Sequence, residues 1–147
     1  MEFGSDDLRF FEQARTEAEK SDFKPFKLGC VITYKGRIIG RGHNSNKSHP
    51  LQKEYNRKYR HFNCARGEFI KDSIHAEIAA INSIPYTTGK NVDWNKVNVY
   101  VYRICPGKKY GYGNARPCPA CMHAIADLGI KNVYYTDELG LSYLELN

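Results

Sequence analysis

The segment PCPACMHAIADLGIKNVYY, residues 117–135, predicts a helix followed by a β-strand. Pro117 precedes the helix and Gly129 follows it, which is the usual placement of these residues at helix ends. A second apolar stretch, KVNVYVY at residues 96–102, predicts a strand upstream. Two strands joined through a helix are typical of a parallel β-α-β unit.

The rest of the chain adds a helix and a hairpin before this unit, and a further helix ahead of its first strand. The predicted elements are a helix over 6–20, a β-hairpin with its turn at Lys35-Gly36, a helix over 73–84 capped by Ser73, a strand over 96–102, a helix over 118–128 and a strand over 131–136. The buried stripe expected for the first helix is Leu8, Phe11, Ala14 and Ala18. No regular element is predicted for residues 43–72 or for the tail. This order predicts an α/β fold, a three-layer α/β/α sandwich with a mixed central sheet.

Length and cysteine usage limit the class of protein. The chain has 147 residues, which fits a single domain over 6–147, and MEFGS at residues 1–5 resembles a cloning remnant that we leave out of the predicted fold. We find no apolar run long enough to cross a bilayer and no secretory signal, so we expect no membrane association. Five cysteines with uneven spacing argue against a secreted disulfide scaffold and favour the reducing cytoplasm.

Positive charge is concentrated in two segments of a chain whose net charge is +6. Residues 35–72 carry ten Lys or Arg against three acids, and residues 103–116 carry four basic residues and no acid. Such a field suits a ligand that bears phosphate. A solvated basic surface explains the charge equally well.

Two pairs of chemically active residues stand at the starts of predicted helices. Cys118 and Cys121 share one face of a first turn, where the helix dipole favours thiolate. That pair alone is compatible with a redox couple, half of a structural zinc site, or two ligands of a catalytic metal. His75 and Glu77 begin another predicted helix, and if the two helices pack side by side, His75 completes a three-ligand zinc site with an open fourth position. Glu77 would then lie where a carboxylate can transfer the proton of an activated water.

The stretches IHAEIAAI, residues 74–81, and PCPACMHAIADLGIKNVYY resemble the zinc-dependent cytidine and deoxycytidylate deaminase superfamily, and most of all its deoxycytidylate deaminases. The resemblance extends over residues 27–136 in element order. It implies that one catalytic Zn²⁺ is bound by His75, Cys118 and Cys121. It also implies that Glu77 protonates N3 of cytosine while a zinc-activated water attacks C4, and that Asn44 contacts the sugar.

The chain departs from the family pattern in two long segments, residues 43–72 and the stretch between Tyr102 and Pro117. These segments hold further candidates for substrate contacts. Tyr112 could stack on a base, and Lys108 or Arg116 could pair with a phosphate, although each could equally be an ordinary surface residue. Donors for a second, structural zinc ion also lie there, but their spacing matches no established pattern, so we expect a single ion; they are His43, His49, His61 and Cys64.

We therefore expect a hydrolase that converts the cytosine of a free (deoxy)cytidine nucleotide, with dCMP as the leading substrate, to uracil with release of ammonia. One alternative is a deaminase of single-stranded DNA or RNA, since basic residues interleaved with tyrosines suit a polynucleotide. A second alternative is a non-catalytic zinc module that binds nucleic acid. Because members of the superfamily commonly associate, we expect a homo-oligomer.

Overall fold

Five strands form one mixed sheet in the computed structural model, which describes residues 3–23, 25–59, 73–104 and 113–146. In chain order they are β1 (Lys27–Tyr34), β2 (Arg37–His43), β3 (Val97–Ile104), β4 (Asn132–Asp137) and β5 (Gly140–Glu145). The helices in the described ranges are α1 (Ser5–Glu19), α2 (Pro50–Tyr59), α3 (Ala76–Ser83), α4 (Tyr86–Gly89) and α5 (Pro119–Asp127). A single 3₁₀ turn, Trp94–Lys96, precedes β3.

The sheet order is β2-β1-β3-β4-β5, and only the central pair β3 and β4 is parallel among these strands. Helix α5 connects those two strands, so the predicted β-α-β unit is confirmed. The predicted hairpin is also confirmed. Lys35 and Gly36 have φ values of 50° and 80°, and two successive left-handed residues form the tight turn whose twist matches the flanking strands.

Helices cover both faces of the sheet, which confirms the three-layer sandwich. Because side chains alternate along a strand, Val31 points to one face while Cys30 and Ile32 point to the other. Helix α1 packs on the first face, where the buried cluster consists of Phe10, Phe11, Ala14, Val31, Tyr100 and Tyr102. Helices α3 and α5 pack on the second face, where the main cluster includes Cys30, Ile32, Ala76, Ala80, Val99, Val101 and Ile125.

Two glycines let the helices approach the sheet closely. A Cβ atom at Gly29 would lie 2.0 Å from the carbonyl oxygen of Ala14 in α1, and one at Gly42 would lie 2.5 Å from the backbone nitrogen of Ala80 in α3. Both distances are far shorter than van der Waals contact, so any side chain at either position would push its helix away from the sheet.

Helix α1 differs from its prediction at its start. Leu8 is 48% exposed, so its assignment to the buried stripe is wrong, and Phe10 takes that place. At 100° per residue, Leu8 lies roughly 120° from the centre of the buried face. The segment we left out of the fold is in part ordered within it, since Phe3 packs edge-on against Phe11 and Gly4 caps the helix. A cloning origin for residues 1–5 stays a prediction.

Two elements lie where none was predicted, and one helix begins later than expected. Helix α2 was not predicted, because the residues that it buries are polar: Gln52 is 0% exposed and Asn56 is 1% exposed. Helix α3 begins at Ala76 with His75 as its N-cap, whereas Ser73 forms an isolated bridge with Ser48. The unassigned tail contributes β5 at the sheet edge. Within the described residues, no helix combines the length and apolar character needed to span a bilayer.

Candidate metal centre and the adjoining cavity

The starts of α3 and α5 meet on the second face of the sheet. His75 is the N-cap of α3, Cys118 is the N-cap of α5, and Cys121 lies in the first turn of α5. The Nδ1 atom of His75 lies 3.2 Å from Sγ of Cys121 and 3.5 Å from Sγ of Cys118. One donor atom from each of the three residues lies within 4.8 Å of the others, so the structure brings the three predicted ligands together.

This donor set fits a tetrahedral zinc ion. Typical Zn–N and Zn–S bond lengths place nitrogen and sulfur ligands about 3.5 Å apart in a tetrahedron, close to both observed separations. Cys118 and Cys121 are free thiols rather than a disulfide. Within the described ranges the cluster has three members, and three protein ligands plus water is the pattern of a catalytic zinc site. The arrangement therefore favours the catalytic-metal interpretation over the redox and structural ones.

The pKa values of the two thiols are shifted in opposite directions. The pKa of Cys118 is lowered to about 4, mainly because the Cys121 thiol donates a hydrogen bond to it, with a further contribution from His75. The pKa of Cys121 is raised, because that thiol keeps its proton for this bond and is fully buried. Cys118 is thus already prepared as a thiolate, the form that binds a metal.

Glu77 lies in the first turn of α3 beside the three donors and is 4% exposed. Burial raises the pKa of this carboxyl to about 7, an effect that neighbouring His75 partly offsets. Its buried Oε1 atom has no hydrogen-bond partner within the described part of the chain. A carboxyl group with these properties can both accept and donate a proton near neutral pH.

Helix α2 holds the backbone of His75 through a hydrogen bond to a buried side chain. The side-chain oxygen of Gln52 accepts a hydrogen bond of 2.9 Å from the backbone N–H of His75, and its amide nitrogen donates one of 2.9 Å to Asn56 Oδ1. Both polar side chains are buried, so the bond fixes the backbone of a predicted ligand. Sequence reasoning missed Gln52, since the only signal is a pair of amides four residues apart in a polar helix.

Two of the three donors, His75 and Cys118, line a cavity of about 250 Å³. Among its lining residues, we call His75, Glu77 and Cys118 the metal side, and Phe26, Arg103 and Arg116 the arginine side. Phe23, Asn44 and Asn114 are among the other lining residues. Phe26 and Arg103 were not predicted to belong to the site, because neither lies in a recognisable motif.

The predicted substrate contacts fall into two groups. Asn44 and Arg116 line the cavity, and Arg116 is exposed. Asn44 is buried, and its side chain accepts hydrogen bonds from Ser21 Oγ at 2.6 Å and Leu28 N–H at 2.9 Å. The same amide donates to the Phe26 carbonyl at 3.1 Å, so it holds the segment before β1 in place. Its role at a sugar stays a prediction.

Other candidates cannot be placed, since Tyr112 and Lys108 lie outside the described residues. The same holds for His61 and Cys64 of the second zinc set. The two described members of that set, His43 and His49, are not part of the three-ligand cluster, and His43 is 3.5 Å from Glu17 of α1.

Comparison with known proteins assigns the chain to a family. Residues 4–137 match the cytidine and deoxycytidylate deaminase zinc-binding region. A tRNA-specific adenosine deaminase from Streptococcus pyogenes serotype M18 is 39% identical over 74 residues, which cover 50% of this chain and 34% of that protein. The chain thus matches about a third of the length of this curated relative.

Two solved structures share the fold. Cytidine deaminase from Burkholderia pseudomallei has a TM-score of 0.59 at 17% identity, covering 94% of this chain and 91% of that one. dCMP deaminase from the cyanophage S-TIM5 has a TM-score of 0.56 at 18% identity, covering 91% and 84% respectively. The family match spans nearly the whole chain and includes both predicted motifs, which confirms the resemblance drawn from the sequence. The chain belongs to the family of zinc-dependent cytidine and deoxycytidylate deaminases.

Proposed function

We propose that this protein hydrolyses the exocyclic C4–N bond of cytosine in a free (deoxy)cytidine nucleotide, with dCMP as the substrate, to give uracil and ammonia. The observation that carries the proposal is the cluster of His75, Cys118 and Cys121, which lies beside a cavity that buried Glu77 also lines. A non-catalytic zinc module has no use for a buried carboxylate beside the metal ligands.

His75, Cys118 and Cys121 would hold the ion, and zinc bound there would supply Lewis acidity that makes water a nucleophile at neutral pH. Glu77 would accept the proton of that water and deliver it to N3 of the ring. The same carboxylate would then take the proton of the hydroxyl group now on C4 and pass it to the departing amine as the C4–N bond breaks, leaving the carbonyl of uracil at C4. Its burial and its unpaired Oε1 support this role.

The choice of a free nucleotide rests on the remainder of the cavity lining. Arg103 and Arg116 bring two positive charges to the same cavity as Glu77. Arginine is suited to phosphate because its planar group donates two parallel hydrogen bonds. The dCMP deaminase of cyanophage S-TIM5, which shares the fold, is a protein named for this substrate.

A second candidate is a deaminase that acts on a base within a nucleic acid. The identity of 39% to a tRNA-specific adenosine deaminase supports it, as does the net charge of +6. In this case the base could be adenine as well as cytosine.

Ammonia release should be measured with deoxycytidine, dCMP, dCTP, a single-stranded oligodeoxynucleotide and tRNA. We expect dCMP to give the highest kcat/KM and the polymers to give none above background. Release from tRNA or the oligonucleotide alone, with steep salt dependence, would replace the proposal by the second candidate. No release from any of them would reject the proposed function.

We also propose, as expected from the sequence, that residues 6–147 act as a single domain and that the protein is a homo-oligomer. Sedimentation velocity over a range of concentrations tests the second point, and a monomer at every concentration would contradict it. The cytoplasmic location stays a prediction.

A further inference from the structure

Arg103 occupies a defined place on the arginine side of the cavity. It is the penultimate residue of β3, and its side chain is half-buried. Its Cζ atom lies 4.6 Å from the centroid of the Phe26 ring, a cation–π arrangement. Phe23 supports that ring from the edge, with the two centroids 4.9 Å apart.

The charge of Arg103 is poorly compensated. Within the described residues, its buried Nε atom has no hydrogen-bond partner and no carboxylate forms an ion pair with it. Nη1 makes one long contact of 3.4 Å with the Asn114 carbonyl oxygen. An arginine that is partly withdrawn from water and left without an anion costs free energy, so a ligand that supplies an anion would be strongly favoured there.

The backbone around Arg103 fixes where its side chain lies. Its N–H donates to Thr136 Oγ1 at 3.1 Å, and its carbonyl accepts from the Gly113 N–H at 3.0 Å. Gly113 also leaves room for the side chain, since a Cβ atom there would lie 2.8 Å from Arg103 Cδ and 2.9 Å from Cγ. The guanidinium group is therefore held in position before any ligand arrives, which lowers the entropy lost on binding.

The cavity as a whole has an excess of positive charge. Of the described residues that line it, Arg103 and Arg116 are cationic and Glu77 is the sole acid. Arg116 is exposed, whereas Arg103 is held against Phe26, so Arg103 can offer a pre-oriented pair of donors. A phosphate group matches both the charge and the geometry of that pair.

We propose that Arg103 binds the 5′-phosphate of the substrate and so makes the site selective for a nucleotide over a nucleoside. This inference rests on the proposed function and adds to it the residue that reads the phosphate. The phosphate could be that of a monomer or the 5′-phosphate of a nucleotide within a polymer, and the test separates the two.

The test compares Arg103→Met with Arg37→Met, which removes the same charge from an exposed position on β2 outside the cavity. For each protein, kcat/KM is measured with dCMP, deoxycytidine and a single-stranded oligonucleotide. We expect Arg103→Met to lower kcat/KM for dCMP by roughly 10- to 100-fold, the usual effect of losing hydrogen bonds to a charged group. The value for deoxycytidine should change less than about threefold, and Arg37→Met should match the wild type.

Two further measurements keep the test decisive if Arg103→Met is unstable or deoxycytidine is turned over too slowly. Gly113→Ala should displace the arginine without removing it and should weaken dCMP selectively. Calorimetric titration of Arg103→Met with dUMP and with deoxyuridine should show that its affinity for dUMP, and not for deoxyuridine, is lower than that of the wild type.

An equal loss for dCMP and deoxycytidine would overturn the role of Arg103 and leave the deaminase intact. If Arg103→Met lowers kcat/KM for the oligonucleotide but not for dCMP, the arginine binds a phosphate of a polymer instead. Failure of the wild type to deaminate any cytosine compound would instead reject the proposed function.

Discussion

The metal side of the cavity is carried by the starts of two helices, whereas the arginine side is assembled from three separate segments. His75, Glu77 and Cys118 lie in or beside first turns whose backbone is fixed by helix hydrogen bonds. Phe26 precedes β1, Arg103 is the penultimate residue of β3 and Arg116 precedes α5. The metal side therefore positions a few ligand atoms precisely, whereas the arginine side contributes positive charge and the shape of the cavity. We therefore expect all-or-none effects on the metal side and graded effects on the arginine side.

The largest effect is expected from Cys121→Ala. Loss of one of three protein ligands should abolish both zinc binding and ammonia release. Metal analysis and an ammonia assay check the two outcomes. Cys30→Ala is the matched control, because Cys30 is equally buried but belongs to the core, and it should keep its zinc. One equivalent of zinc in Cys121→Ala would show that the ion lies elsewhere.

Glu77→Gln should reduce kcat by roughly 10²- to 10⁴-fold, the range found when a general acid–base group is removed. The amide is nearly isosteric, so zinc content and the circular dichroism spectrum should match those of the wild type. Turnover at the wild-type rate would mean that another group moves the proton.

Asn44→Ala tests whether the arginine side depends on this amide for its shape. The substitution leaves Ser21, Phe26 and Leu28 without their shared partner, so the free energy of unfolding should fall by about 2 kcal/mol. Urea denaturation measures the change. Asn46→Ala is a milder comparison, since its side chain makes one exposed hydrogen bond, to the Asp22 carbonyl. Unchanged stability with a raised KM would instead make Asn44 a substrate contact.

Gln52→Leu should weaken zinc binding by about tenfold, because groups that orient metal ligands commonly contribute at least that much. The Leu side chain fills similar space but cannot accept the His75 N–H. Competition with a chromogenic chelator measures the affinity, and the exposed neighbour variant Lys53→Leu should behave as wild type. Equal affinities in all three proteins would assign Gln52 to packing alone.

The smallest effect is expected from Arg116→Met. This side chain is exposed, and exposed charge pairs contribute little, so KM for dCMP should rise by less than about fivefold. Steady-state kinetics beside Arg103→Met ranks the two arginines. A larger loss at Arg116 would show that the arginine side acts through its solvent-facing residue.

The metal side could be predicted from the sequence because its information is local. The two-residue spacing of His75 and Glu77 and the three-residue spacing of Cys118 and Cys121 place each pair within one helical turn. The β-α-β unit and the apolar strands then determine which face of the sheet receives both helices. The sequence also predicted the hairpin turn, the parallel pair of strands and the layers.

The features that the sequence did not predict depend on contacts between distant segments, and such contacts produce no periodic pattern in the sequence. Gln52 is buried although it is polar, so a search for apolar spacing passes over α2. Arg103 resembles any basic residue at a strand end until Phe26 and Gly113 are placed around it. Leu8 fitted the helical period but lies beyond the edge of the face that the sheet covers. In each case tertiary packing, rather than local preference, decided the outcome.

The contact between His75 and Cys118 joins points 43 residues apart along the chain. An ion bound by both residues would close a loop that includes α3, α4 and β3. Like a covalent cross-link, it would lower the conformational entropy of the unfolded chain. Among the described residues, the α1 face holds no such group of metal ligands, and its buried cluster is mainly aromatic. The stability of the layer formed by α3 and α5 would then depend on bound metal far more than the stability of the α1 layer does.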